Sequence, residues 1–292
     1  MRFDWYQASF EQSPEVLIST LSKLGTDMRP CDGKARKWHY QSGFEVLSDR
    51  GETLATVMFG GNGGKPHALA TSDATDRFVD LVRNEWPDHL VTRFDACQDF
   101  HDGSAYPRLC RILKATAKEH GLAFPAFSDT LNPDAGRTQY VGSPKSDNRV
   151  RLYEKGLEVA GKLKATQFFG LANLTFHDEN TGQSVKPHDW IRLELQSRPR
   201  EERAKRLAAQ LSAEEAWSVS DWTHQLAVKA LRLDIERIFM RTVKLNKDDA
   251  TMQWMTRQYE AVLLRMASDL GGWPAVGEHI GALIESRKTH RQ

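Results

Sequence analysis

Between Thr138 and Lys155 the chain reads TQYVGSPKSDNRVRLYEK, and its second half sets one phenol among cations. In a strand, successive side chains point to opposite faces, so Arg149, Arg151, Tyr153 and Lys155 would share one face and Val150 and Leu152 the other. Cations around a phenol favour its ionised form, whose ordinary pKa is about 10, and would also hold a phosphodiester in front of the oxygen. Phosphoryl transfer through tyrosine is the chemistry that such a face suits. The plainer alternative is an edge strand with a solvated basic face and a tyrosine bridging to the core.

Two further stretches read as strands that could position partners for this face. In LVTRFDACQDF at 90–100, parity puts Arg93, Asp95, Cys97 and Asp99 together and Phe94, Ala96 and Gln98 opposite. Carboxylates on one face repel unless a cation lies near, and either a divalent metal or Arg93 would serve. In WIRLELQSR at 190–198, Arg192, Glu194 and Gln196 face one way and Ile191, Leu193 and Leu195 the other. A glutamate in an otherwise apolar strand needs a partner, because burying an unpaired carboxylate is costly. Arg151, Arg93 or a metal ion could be that partner.

The chain has 292 residues, 40% of them apolar and 27% charged, enough for one large domain or two modest ones. No run of 18 apolar residues and no leader pattern in MRFDWYQASF are present, so the expectation is a soluble cytoplasmic protein with no membrane partner. Cys31, Cys97 and Cys110 lack CxxC spacing and read as small hydrophobes. The net charge of +1 is unevenly spread: residues 1–136 hold 15 Lys/Arg against 19 Asp/Glu, residues 137–206 hold 14 against 9, and residues 207–292 hold 11 against 11. The positive excess surrounds the tyrosine motif. It could be a solvated face, and it is also what a nucleic-acid site needs to replace phosphate counterions.

Elsewhere the pattern predicts a strand over 2–10, a helix from Pro14 ending at Gly25, and a hairpin across 38–59. Helices are expected over 72–86, with Ser72 and Asp73 as caps, and over 106–121, then a loop over 122–137. FGGNGGKPH at 59–67 fails as a phosphate loop because Pro66 follows Lys65 where a hydroxyl residue is required. A helix follows Lys155 to about Ala165, while 167–182 takes no assignment. From Pro199 the pattern is helical, with a capping box from Ser212 to Glu215, a helical run HQLAVKALRLDIERIFM and a last helix stopping at Gly271. The fold class expected is α+β: an antiparallel sheet flanked by helices carrying the active site over 1–200, then a mostly helical region over 201–292 for DNA recognition or dimerisation.

In order, VTRFDACQDF, TQYVGSPKSDNRVRLYEKG and WIRLELQ resemble the replication initiation factor family, often called Rep_trans, whose members start rolling-circle replication in small plasmids and filamentous phages. The family pattern runs T-R-[LIF]-D-x-x-x-D, then Y-x-G-S-x-x-S-x-x-x-x-R-[IVL]-Y-x-K, then R-x-E, and the matching residues span about 90 to 198. The resemblance implies a site-specific DNA nicking and joining enzyme whose tyrosine, here Tyr153, becomes linked to the 5′ phosphate. It implies Arg151 and Lys155 as catalytic cations, and Asp95 and Glu194 as ligands of Mg²⁺ or Mn²⁺ with Asp99 in second place. Arg149, Lys145, Ser143, Ser146 and Arg192 are implied to contact DNA. The partners implied are origin DNA, single-stranded or extruded at the nick, a host helicase and a second copy of the chain. No His-x-His sequence is present, so a histidine-rich metal site is not expected. Tyr140 competes as nucleophile, its face being unreadable across the Gly142–Pro144 turn, and the family pattern decides for Tyr153. Alternatives are a relaxase-like nickase of a mobilisable or integrative element, and a non-catalytic DNA-binding regulator.

Overall fold

The computed structural model describes residues 1–61, 63–129, 131–163, 170–178, 180–238 and 247–289. Its strands are β1 (Arg2–Ser9), β2 (Asp27–Pro30), β3 (Tyr40–Leu47), β4 (Thr53–Gly61), β5 (His67–Thr71), β6 (Leu90–His101), β7 (Ala126–Ser128), β8 (Arg137–Val141), β9 (Asn148–Glu154), β10 (Phe176–Asp178), β11 (Gln183–Val185) and β12 (Trp190–Ser197). The helices are α1 (Pro14–Leu21), α2 (Asp32–Lys37), α3 (Thr75–Glu85), α4 (Ala105–Glu119), α5 (Lys155–Leu163), α6 (Glu202–Ala208), α7 (Asp221–Leu231), α8 (Lys247–Leu270) and α9 (Trp273–Thr289). The fold is α+β. Ten strands form one antiparallel sheet in the order β2-β3-β4-β5-β1-β6-β12-β9-β8-β7, and β10 and β11 form a separate hairpin.

Alternation along the central strands gives this sheet two unlike faces. Tyr6, Phe94, Val150, Leu152, Ile191, Leu193 and Leu195 point to one side and are buried with Phe78 and Val82 of α3, Leu109 and Leu113 of α4, and Leu226 of α7. The charged residues of β6, β9 and β12 point to the other, except Glu154 at the end of β9, which lies opposite Ile191 and pairs with Arg137. α1 starts as its sequence predicts, with Ser13 capping the amide of Val16 and Pro14 in the first turn. At α3 the expected caps Ser72 and Asp73 instead form a short 3₁₀ turn, and no side chain caps the helix.

Three expectations are corrected. β9 lies between β12 and β8, so the tyrosine motif is on an interior strand and the edge-strand alternative falls. Strand β9 ends at Glu154, and Lys155 opens α5, where a Cβ on Gly156 would collide with the Pro187 carbonyl and the helix start is pinned. The chain divides into units 1–240 and 241–292, not at residue 200. The reason is packing: Ala208, Leu211, Trp217, Leu226 and Ala227 belong to the same core as the sheet, with Trp217 fully buried. Ser212 and Glu215 do exchange capping-box bonds, but they introduce a 3₁₀ turn, and the box that opens a helix is Ser220–Thr223 before α7.

In the second unit α8 runs to Leu270 with a break in helical geometry at Tyr259, and Gly271 at φ 85° ends it. The end of the predicted run HQLAVKALRLDIERIFM lies outside the described residues, as do Lys164 and Ala165; α7 itself stops at Leu231, with Arg232 left-handed. Among the described residues no helix is long and apolar enough to cross a membrane.

A chain ending at residue 206 should therefore fail to unfold cooperatively in denaturant, because it strips the sheet of its Trp217 and Leu226 cover, whereas a chain ending at 240 should melt as one transition. A milder version is Leu226→Ala, expected to cost about 2–5 kcal/mol by urea denaturation for a fully buried leucine.

Candidate active site

The register of three strands assembles the site, since residues directly opposite each other in an antiparallel pair share a face. On β12, Glu194 stands opposite Cys97 of β6 and Arg151 of β9, Gln196 opposite Asp95 and Arg149, and Arg192 opposite Asp99 and Tyr153. The turn from β8 to β9 needs a left-handed residue, supplied by Gly142 at φ 92°. It sets Tyr140 opposite Arg151, so Tyr140 shares the face of Tyr153, a placement the sequence could not show across the turn.

Tyr153 is 4% exposed and its hydroxyl donates to Glu194 Oε2 at 3.2 Å. One terminal nitrogen of Arg151 donates to both oxygens of Glu194, at 2.9 and 3.0 Å, and the same guanidinium lies over the Tyr153 ring, 4.2 Å from its centroid. Burial, reinforced by the Glu194 carboxylate, holds the Tyr153 phenol well above its ordinary value, although Arg192 and Arg151 oppose this. The expectation that neighbouring cations leave a phenolate is thus reversed: the proton stays, aimed at a carboxylate. Burial also raises Glu194, against Arg151, with Asp95 adding repulsion.

Asp95, 3% exposed, is gripped by Arg93 through both oxygens, with Nε to Oδ1 at 2.8 Å, and burial raises its carboxyl likewise. Arg93, Tyr140, Arg149, Arg151, Glu194 and Gln196 line a cleft of ≈ 120 Å³. Arg149 covers the Tyr140 ring at 3.8 Å, and the Nε donors of Arg149 and Arg151 are buried without an acceptor. Arg198 is lowered by burial and then by Arg93 and Arg149, which marks this corner as crowded with positive charge. Buried N–H donors without partners in a cationic cleft suit an anion bearing several oxygens.

Among the described residues no group of three or more His, Cys, Asp or Glu is gathered for a metal. Asp95 and Glu194 form a diagonal pair across β6 and β12, with Cα atoms about 7–8 Å apart by sheet geometry. Two carboxylates fit a Mg²⁺-like ion, which takes its remaining ligands from waters and a substrate phosphate. Such an ion would displace the pairing with Arg93 and Arg151.

Other expected site residues are placed differently. Arg192 has no exposed surface: Nε and one terminal nitrogen hold Asp99 at 2.7 and 2.8 Å, and the other holds Asp4 at 2.7 Å. Its donors are taken up by two carboxylates, so Arg192 first of all holds β12 to β6 and β1, at the wall of a second cavity of ≈ 320 Å³. Asp99, bound also by Trp190 Nε1 at 2.9 Å, is likewise committed to these donors. Lys155 pairs with Glu158 at 2.9 Å and stands 5.9 Å from the Tyr153 ring. Ser143 accepts from the Lys145 amide, and Ser146 spends its hydroxyl on the carbonyls of Ser143 and Asn148, so both shape the turn that presents the exposed Lys145.

Replacing Arg192 leaves the largely buried Asp99 without its cation and Asp4 with Arg2 alone, so Arg192→Met should cost about 3–5 kcal/mol in urea denaturation. Arg149→Met, at the cleft, should stay within about 1 kcal/mol of wild type.

No protein-family model matches the chain, and no curated protein matches it. The chain is similar to the solved structure of a rolling circle replication initiator protein from Geobacillus stearothermophilus, at 18% sequence identity and a TM-score of 0.47, over 81% of this chain and 98% of that one.

Proposed function

We propose that the chain is a site-specific DNA nicking and joining enzyme that initiates rolling-circle replication, as its three motifs resemble those of the replication initiation factor family. The observation that carries this reading is the Tyr153–Glu194–Arg151 cluster: a phenol hydrogen-bonded to a carboxylate, under a guanidinium, beside a cleft lined by further arginines. The substrate is origin DNA, single-stranded or extruded at the nick, because a buried phenol must meet one backbone phosphate free of its partner strand.

In this reading Tyr153 Oη attacks phosphorus and its proton passes to Glu194. The Oη–P bond forms, the P–O3′ bond breaks, and the leaving 3′ oxygen takes a proton from water. The product is a 5′-phosphotyrosine and a free 3′ hydroxyl that can prime synthesis. Because the phosphotyrosine keeps the energy of the broken diester, a 3′ hydroxyl can reverse the step and join strands without ATP. Arg151 and Arg149 oppose the charge that builds on the nonbridging oxygens. Mg²⁺ or Mn²⁺ held by Asp95 and Glu194 would add Lewis-acid stabilisation of the same oxygens. Arg149 and Lys145 are the DNA contacts retained, and Lys155, paired with Glu158, adds positive charge beside the Tyr153 ring. A host helicase and a second copy remain proposed partners.

A second reading makes Tyr140 the nucleophile: it lines the arginine cleft and is half-buried where Tyr153 is enclosed. The two separate on a labelled single-stranded origin oligonucleotide incubated with Mn²⁺ and then denatured. Tyr153→Phe should bind DNA and form no protein adduct, while Tyr140→Phe should still form it; the reverse result moves the nucleophile to Tyr140. If wild type never captures DNA, the regulator reading stands instead.

Metal binding has its own readout without DNA. Mn²⁺ should raise the melting temperature of wild type in a concentration-dependent way, since an ion that binds the folded chain stabilises it by mass action. The double variant D95N/E194Q should show no shift, and an equal shift in both would remove the metal from these residues.

A further inference from the structure

The charged face continues past the cleft. Arg93, which closes the cleft on the β6 side, also lies over the Trp5 ring at 4.2 Å from its centroid. Trp5 is opposite Asp95 in the β1–β6 register. Its indole N–H is fixed by Gln7 Oε1 at 2.9 Å, and Gln7 is held in turn by Thr92 Oγ1 at 3.1 Å. Beyond Trp5 stands Trp38, its ring tilted 20° from the Trp5 plane with centroids 6.4 Å apart. Both rings rest on a small buried cluster of Ala35, Tyr40, Met58 and Leu69, separate from the main core, and stay half-exposed at a pocket of ≈ 220 Å³ with Lys34 and Leu54 at its walls.

The row therefore runs Tyr140 and Arg149, Arg151, Arg93, Trp5, Trp38, from β8 and β9 across β12, where Glu194 and Gln196 stand, to β6, β1 and the end of α2. It places a run of arginines between a tyrosine ring and a pair of tryptophan rings, and it runs across the strands over ground where the sheet is otherwise charged. Bases stack on aromatic side chains whatever their identity, and phosphates follow guanidinium groups. An apolar protein partner would find a guanidinium on the Trp5 ring; a nucleic-acid strand would find one phosphate position per arginine and a platform for the next base.

We propose that single-stranded DNA leaving the arginine cleft crosses β6 and β1 and stacks a base on the Trp5–Trp38 pair, which acts as a sequence-tolerant anchor for the strand flanking the nick. The inference rests on the nicking reading for the direction of the strand, and its test uses binding alone. The ring of Trp5 is oriented before any ligand arrives, so the stacking surface is preorganised.

The test uses full-length protein in EDTA with an oligothymidylate of about 16 nucleotides, a length that one binding fold can fill. Trp5→Ala and Trp38→Ala should each weaken binding at least about fivefold by fluorescence anisotropy, while Trp5→Phe keeps most of it. Phe127→Ala, an exposed aromatic on the β7 edge, should bind as wild type. In wild type, 5-iodouracil placed along the oligonucleotide should photocross-link to the tryptic peptides 3–23 and 38–50, which hold Trp5 and Trp38. This second measurement stands even if an alanine variant misfolds. Wild-type affinity in both folded alanine variants, cross-links confined to other peptides, or no single-strand binding at all would overturn the proposal. A protein that binds and cross-links here but forms no tyrosine adduct with origin DNA would leave this site intact and remove the nicking reading.

Discussion

Three carboxylates lie buried or nearly so on one face of the sheet, and each is held by an arginine from the same face: Asp95 by Arg93, Asp99 by Arg192, Glu194 by Arg151. Taking a carboxylate out of water is costly, and removing one partner of a buried pair is costlier than never having built it. Asp99–Arg192 ties β6 to β12 and Glu194–Arg151 ties β12 to β9, so these two pairs match the observed register, while Arg93–Asp95 lies within β6. The same constraint sorts the face into two parts. Around Arg192 the guanidinium is committed to Asp99 and Asp4, beside a second cavity of ≈ 320 Å³ that Arg2, Asp4 and Lys155 also line. Around Arg151 and Arg93 the guanidinium groups border a cleft, keep donors without acceptors, and can exchange a carboxylate for a phosphate.

That exchange gives the site its chemical logic. A phenol raised by burial is a poor nucleophile until its proton has somewhere to go, and the Glu194 oxygen 3.2 Å away is such a place. In the proposed reaction, burial of Tyr153 would limit the access of water to a phosphotyrosine, which would favour rejoining over hydrolysis. The apolar face behind, from Phe94 to Leu195, fixes the strands against α3, α4 and α7 and leaves the charged face to chemistry.

Much of this was legible in the sequence, because parity in a strand is fixed once the strand is recognised: Arg149, Arg151 and Tyr153, then Arg93 and Asp95, then Glu194 and Gln196 all fall where alternation puts them. Parity does not carry register, so nothing local distinguished Arg192, committed to Asp99 and Asp4, from Arg151, open to the cleft. Lys155 keeps its place near the Tyr153 ring but from the first turn of α5, not from the strand, because β9 ends one residue earlier. Tyr140 was hidden by a turn whose length decides its face. The division at residue 200 failed because amphipathic periodicity shows that α7 has an apolar side without showing that the sheet covers it. Trp5 and Trp38 carried no motif at all; they became neighbours only through the pairing of β1 and the position of α2.

The central claim is that the enclosed phenol, and not the one in the open cleft, is the reacting atom. The most direct measurement is the mass of the nucleotide-bearing peptide after trypsin and nuclease digestion of the captured complex, because the two tyrosines fall in different peptides, 152–155 for Tyr153 and 138–145 for Tyr140. A nucleotide on 152–155 is the predicted result. A nucleotide on 138–145 would contradict the account and leave the Tyr153–Glu194–Arg151 cluster as a buried support for an active site centred on Tyr140.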